Sequence, residues 1–272
     1  MHKELAHFLA SMNQQKQHHI GYCGDNVAEI LQTLEKDFSP LADVFFVSKD
    51  MEINGAIGLD IDDEEKTAEV WGPFSTSEEV ALQLWKKLKE TYESTLNTLY
   101  FFINKENQQG IRFAQNIGAH HQGNHFILEA SKNHYEQKAI DFKPQYTDSF
   151  SELHEAAFPN TYHSAKEIIS KLDDLNRLLI LTDQHNIKGY VYIEALPEYG
   201  EGNIEFITVS PQYRRQGIGT QLTQSALASL FQFEEIASVT LCVSATNNSA
   251  LSLYQAAGFS LKHELMLFTY QF

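Results

Sequence analysis

Short runs in which every second residue is apolar alternate, along the whole chain, with longer stretches in which apolar residues recur every three or four positions. The first pattern marks half-buried strands and the second amphipathic helices. In the second half the pattern predicts a strand over 138–142, helices over 149–158 and 164–172, and strands over 177–182 (RLLILT), 189–195 (GYVYIEA) and 204–209. A helix from Gly217 to about Leu230, a strand over 238–244, a helix over 247–257 and a closing strand pair to Phe272 follow. Gly and polar clusters separate these segments, as turns require. The expected architecture is α/β (α+β), with a mixed sheet and flanking helices.

The first half repeats this order. NQQGIRFAQNIGA at 107–119 and NNSALSLYQAAGF at 247–259 share one spacing: Asn107 with Asn247, Gly110 with Ala250, Phe113 with Leu253, and Gly118 with Gly258. Each follows a strand-like run. Upstream, Glu69 matches Glu205 and Gly55 matches Gly189. The separation grows slightly along the chain, as loop insertions would cause. A tandem duplication is expected, with domains at 1–131 and 138–272 and a linker around 130–137.

Length agrees with this division, because 272 residues suit two domains of about 130 residues each. Net charge is −16, from 20 basic and 36 acidic residues. Such a surface repels phosphodiesters and anionic lipid headgroups, so neither nucleic acid nor a membrane is an expected partner. The acidity fits either solubility alone or the attraction of cationic substrates. Cys23 and Cys242 are the only cysteines; each lies in a strand-like run and is expected to be a buried thiol outside any disulfide framework. The first residues show no long apolar run or cleavage signature, and no 18 apolar residues run together, so a cytoplasmic location is expected.

The segment VSPQYRRQGIGTQL, 209–222, carries the strongest chemical signal. It joins a strand to a helix, and the first amides of a helix lack internal partners and sit at the positive end of its dipole. Gly217 and Gly219 let a diphosphate approach the backbone, and Arg214 and Arg215 supply guanidinium forks for its oxygens. A P-loop would need a Lys after its glycines, and the dinucleotide fingerprint a third Gly where Leu222 stands. Neither nucleotide motif is present.

The RxxGxG pattern at Arg214, Gly217 and Gly219 resembles the acetyl-CoA loop of the GNAT acetyltransferase superfamily. Downstream, Asn247, Ala250, Leu253, Tyr254, Gly258 and Phe259 fill the NxxAxxLYxxxGF helix of that family. The resemblance covers about the last 130 residues and implies two tandem GNAT-like domains, each with a mostly antiparallel central sheet flanked by helices. It further implies an acetyl-CoA-dependent N-acetyltransferase acting on a primary amine, small-molecule or peptidic, by direct attack in a ternary complex, without a metal. Arg214, Arg215, Gln216, Gly217, Ile218, Gly219 and Thr220 would hold the diphosphate. Ile207, Thr208 and Val209 would pair with the pantetheine arm, and Asn247 would lie at the cofactor. Asn247 is also a good helix cap, and Tyr254 also fits a core aromatic.

Tyr254 is the candidate general acid for the departing thiolate. Amine deprotonation calls for a base or a water chain; Glu205, expected on the same side of its strand as Ile207, leads, and Glu194 is second. Acids in the 194–203 loop, Glu194, Glu198 and Glu201, suit a cationic acceptor. A non-catalytic acyl-CoA-binding regulator is the competing reading, and the chain could be a monomer or a homodimer. In the first half Ala114 stands at the Tyr254 position, 67–85 holds no Lys or Arg, and Ser75 with Glu78 fits a capping box. That half is therefore expected to be degenerate and non-catalytic. His120, His121 and His125, placed near a turn, lack companion metal ligands; DIDDEEK at 60–66 reads as a hairpin turn and not as a calcium loop.

Overall fold

The computed structural model describes the whole chain except Ser39, Asn160, Tyr162, Gln184 and His185. Contacts divide it into a first unit, Met1–Phe126 with His263–Phe272, and a second, Ile127–Lys262. The first unit contains α1 (His2–Asn13), α2 (Val27–Lys36), α3 (Leu41–Val44), β1 (Phe45–Lys49), β2 (Ile53–Asp62), β3 (Thr67–Ser75), α4 (Glu78–Tyr92), β4 (Thr98–Asn104), α5 (Gln108–Asn116) and the start of β5 (His120–Ser131). The second contains β6 (Ile140–Asp141), α6 (Thr147–Ala157), α7 (Ala165–Lys171), β7 (Asn176–Asp183), β8 (Asn186–Leu196), β9 (Glu201–Val209), α8 (Ile218–Leu230), β10 (Ser238–Ser244) and α9 (Asn248–Ala256). β11 (Ser260–Gln271) is one continuous strand where the pattern suggested a pair. Its residues from Leu265 to Gln271 ladder with β4, which places the end of the chain in the first unit.

Each unit has a mostly antiparallel sheet flanked by helices. In the first the order is β1-β2-β3-β4-β11, antiparallel except for β3 beside β4. In the second it is β5-β10-β9-β8-β7-β6, with β10 parallel to β9. The matched segments occupy matching places. Asn107 caps α5 by accepting from the Gly110 amide at 2.8 Å, and Asn247 caps α9 by accepting from the Ala250 amide at 3.1 Å.

In both units the parallel ladder holds three residue pairs, and the strands then part. The first unit closes the gap with its own chain. Ile20 bridges to Ile103, the Gly21 amide donates to the Phe102 carbonyl at 2.7 Å, and the Asn104 amide donates to the His19 carbonyl at 3.1 Å. Asn13, at the end of α1, fixes this strap by accepting from the Ile20 amide and donating to the Gly24 carbonyl. Gly21 is required by close approach: a Cβ there would lie 2.6 Å from Leu265 Cδ1.

Several expectations for the first unit are corrected. Ser77, not Ser75, caps α4 by accepting from the Val80 amide; Ser75 ends β3 and accepts from Gln109, while Glu78 accepts from Asn116. β3 runs through Ser75, so the helix cap falls two residues later. His120, His121 and His125 lie along β5, which begins at His120 just after the turn that ends α5. The acidic run does form a turn, in which Asp62 Oδ1 accepts from the Glu64 and Glu65 amides.

Asp60 and Glu69 face each other across β2 and β3. Burial, and then the Asp60 carboxylate, push the Glu69 carboxyl up from 4.5 to about 7. The native state thus holds this proton more tightly than the unfolded chain does. The stability it carries is complete below pH 4.5 and is lost as pH rises through about 7. Glu69→Gln keeps a neutral side chain at every pH, so it is expected to stabilise the protein by about 2 kcal/mol at pH 8 and to change little at pH 4. Thermal melts at the two pH values check this; equal shifts at both would contradict it.

Candidate active site

β9 leads into the site, and a bulge shapes it. Tyr192 pairs with Phe206 but Ile193 pairs with Ile204, so Glu205 is an extra residue on β9. Before the bulge, a Cβ on Gly202 would lie 2.9 Å from Leu230 of α8. After it, Val209 lies 3.8 Å from where Gly219 of α8 would carry a Cβ, so Ile207 and Val209 also face α8. Phe206 packs on the opposite face, against His154 and Phe158. Glu205 acts electrostatically on the Tyr192 hydroxyl, which belongs to that same opposite face. Glu205 is therefore on the face away from Ile207, contrary to the expectation from simple alternation, because the bulge inserts one residue into the period of two.

The bulge also ends pairing with β10. The ladder contains Glu201, Gly202 and Asn203 of β9, and among the described residues none of Ile207, Thr208 and Val209 pairs with β10. Their other edge remains in register with β8. A length of strand edge is left available beside the start of α8.

At that start the 210–217 loop turns sharply. Arg215 and Gly217 have positive φ, at 60° and 74°. A left-handed residue other than Gly costs energy and is common at functional sites. Arg214 Nε donates to the Val209 carbonyl at 3.2 Å, which holds the guanidinium over the end of β9. Arg214, Arg215, Gln216 and Gly217 are exposed, Ile218 is buried, and Gly219 and Thr220 are half-buried. Gly217 caps α8 without a side-chain hydrogen bond, whereas α4 has Ser77 at the same place.

The two glycines have different tasks. Gly217 is needed for its positive φ, with only Gln221 Nε2, at 3.9 Å, near an added Cβ. Gly219 is needed for packing, since its Cβ would lie 2.4 Å from Leu253 Cδ1 of α9. This contact seats α9 against the first turn of α8 and brings the next residue, Tyr254, to the same region.

Tyr254 is buried, 7% exposed, with Phe259 edge-on to its ring. Burial pushes its hydroxyl up to about 12. Gly258, with φ 102°, ends the helix as expected. Asn247 Oδ1 is committed to the α9 cap.

Tyr192, which the sequence did not single out, organises the other side of the sheet. Its hydroxyl donates to Glu194 Oε1 at 3.0 Å and lies 3.5 Å from Asn176 Oδ1. Burial first, then Glu194 and Glu205, push that hydroxyl well above the usual tyrosine range. The alternation of Tyr190 and Tyr192 in GYVYIEA was its one visible signal. Asn176 also lines a cavity of about 470 Å³ with Asp141, Asp173, Asp174, Arg177 and Phe233. Glu198 and Glu201 lie at the turn between β8 and β9. Cys242 is exposed on β10, contrary to expectation, because alternation turns it away from Leu241 and Val243; Cys23 is buried.

Residues 142–259 match the model of the acetyltransferase (GNAT) family. This segment of the second unit belongs to that family. An N-alpha-acetyltransferase from Sulfurisphaera tokodaii is 35% identical over 72 residues, a stretch covering 26% of this chain and 43% of that relative. Among solved structures, a GCN5-related N-acetyltransferase from Sphaerobacter thermophilus superposes with a TM-score of 0.78 at 18% identity, covering 98% of this chain and 91% of its own. A tandem GNAT protein from the clavulanic acid biosynthesis pathway gives a TM-score of 0.68 at 13% identity, over 98% of this chain and 94% of its own. At these identities the structural matches establish the fold. In this GNAT segment, strand parting, uncapped helix and tyrosine helix occur together. Among the described residues no group of three or more His, Cys, Asp or Glu is placed to hold a metal ion, and no described helix is long and apolar enough to cross a membrane.

Proposed function

We propose that the second unit is an acetyl-CoA-dependent N-acetyltransferase that acts on a primary amine carrying positive charge as it approaches. The observation that carries this reading is the parting of β9 from β10 at the Glu205 bulge, directly before an α8 whose first amides have no side-chain cap. In this reading the free strand edge at Ile207, Thr208 and Val209 receives an extended amide-bearing arm. Arg214, Arg215 and the amides of Gln216 to Thr220 receive the diphosphate. The ligand supplies a thioester carbonyl, which the amine attacks directly as the carbon–sulfur bond breaks.

The chain's residues manage the protons. Tyr254 gives its proton to the departing sulfur; its raised pKa keeps the hydroxyl protonated at neutral pH. An ammonium cannot attack until deprotonated, and Glu205 or Glu194, on the opposite face of the sheet from α8, takes that proton. The acids of the 194–203 segment, Glu194, Glu198 and Glu201, favour a cationic acceptor. The first unit, with its gap strapped shut and Ala114 in place of the tyrosine, is non-catalytic in this reading.

Amine-dependent release of CoA thiol from acetyl-CoA tests the proposal. Cationic primary amines are expected to turn over with a kcat/KM that falls as salt is added. Efficient acetylation of an anionic acceptor without a salt effect would count against it.

A further inference from the structure

His154 is 1% exposed in the last turns of α6 and both of its ring nitrogens are engaged. Nε2 lies 2.8 Å from the His163 carbonyl, which can only accept, so the proton of the neutral ring is on Nε2. Nδ1 is then an acceptor, and the Tyr190 hydroxyl of β8 donates to it at 2.5 Å. A ring flip would break both bonds, and a change of tautomer would lose the one to the His163 carbonyl. Its face is set edge-on to Phe206, at 5.2 Å between centroids, and Phe158 of the same helix end closes on Phe206 at 5.1 Å. Phe206 is the residue immediately after the bulge. His154 thus ties α6, the approach to α7, β8 and β9 together at the point where β9 departs from regular pairing.

We propose that His154 is a positioning residue for acetyl transfer: locked by Tyr190 and the His163 carbonyl, it clamps Phe206 and so fixes the bulge that presents Glu205 and the strand edge at Ile207, Thr208 and Val209. The inference rests on the acetyltransferase reading of this site. It assigns His154 no contact with substrate. A bulge inserts a residue that sheet pairing alone does not hold, so its geometry depends on what packs against it. Displacements of about 1 Å far from reacting atoms can cost 10²-fold in rate.

The test compares His154→Phe, which keeps a ring but loses both bonds, with His154→Gln, which retains an amide donor for the His163 carbonyl, and with Tyr190→Phe. For His154→Phe we expect kcat to fall about tenfold or more, acetyl-CoA affinity to weaken by less than kcat falls because the diphosphate contacts at the start of α8 are kept, and amide hydrogen exchange in β9 to quicken while α8 is unchanged. His154→Gln should recover part of kcat and of β9 protection, which mere loss of core packing would not explain. Unchanged kcat and unchanged β9 exchange in a folded His154→Phe would overturn the proposal. If that variant does not fold, Tyr190→Phe decides in the same way, since it removes one hydroxyl and leaves the packing. If the unsubstituted protein shows no amine-dependent turnover, the acetyltransferase reading fails separately, and faster or unaltered β9 exchange alone upholds or overturns the positioning role.

Discussion

Tyr254→Phe is expected to lower kcat by roughly 10²-fold or more, the usual scale for general acid catalysis, with little change in acetyl-CoA affinity. The substitution removes one oxygen and keeps the ring that packs on Phe259. Among the described residues that hydroxyl has no hydrogen-bond partner, so its loss orphans nothing and the fold should be unaffected. What is lost is a proton source in a buried position, where a thiolate would otherwise depart as a poorly solvated anion. The first unit supplies an internal comparison, since the same helix position there is Ala114. Steady-state kinetics beside calorimetry separate the effects. A Phe variant with full kcat would return Tyr254 to a packing role.

The second large effect is expected at the 214–217 turn. Arg214→Ala removes the guanidinium that Val209 orients and should weaken acetyl-CoA binding about tenfold, the scale of a lost charge-assisted hydrogen bond. Gly217→Glu should do more, roughly 10²-fold, for two additive reasons. It forces a side chain into a left-handed position with φ 74°, and it sets a carboxylate at the positive end of α8. Neither residue is in a hydrophobic core, so both variants should stay folded, with Gly217→Glu losing about 1 kcal/mol to the left-handed backbone. Unchanged affinity in both variants, by calorimetry, would remove the diphosphate assignment.

Much of this was legible in the sequence because its causes are local. The arginine and glycine turn, the Asn247 cap, the Gly258 terminator and the duplicated spacing all follow from residue preferences within one or two turns of chain. The bulge at Glu205 was not legible. Nothing in NIEFITV marks an inserted residue, because the break in alternation is set by how β8, α6 and α8 compete for opposite faces of β9. For the same reason Glu205 was assigned to the side of Ile207. The strap at His19, Ile20 and Gly21 depends on a gap formed some eighty residues later, and the closing of β11 on β4 depends on paired residues 161 to 173 positions apart. His154 and Tyr190 read as a helix histidine and a strand tyrosine until tertiary contact joins them. Gly219 was legible as a necessary glycine, though for packing against Leu253 more than for room at the diphosphate.

A calorimetric titration of acetyl-CoA into the intact chain tests most directly whether it has one working site, in the second unit. The strapped gap and Ser77-capped helix of the first unit oppose binding there, while the open strand edge and uncapped α8 favour it in the second. Saturation at one equivalent, with that equivalent lost in Gly217→Glu, is the expected result; a stoichiometry near two, or a tight site that survives the substitution, would contradict it.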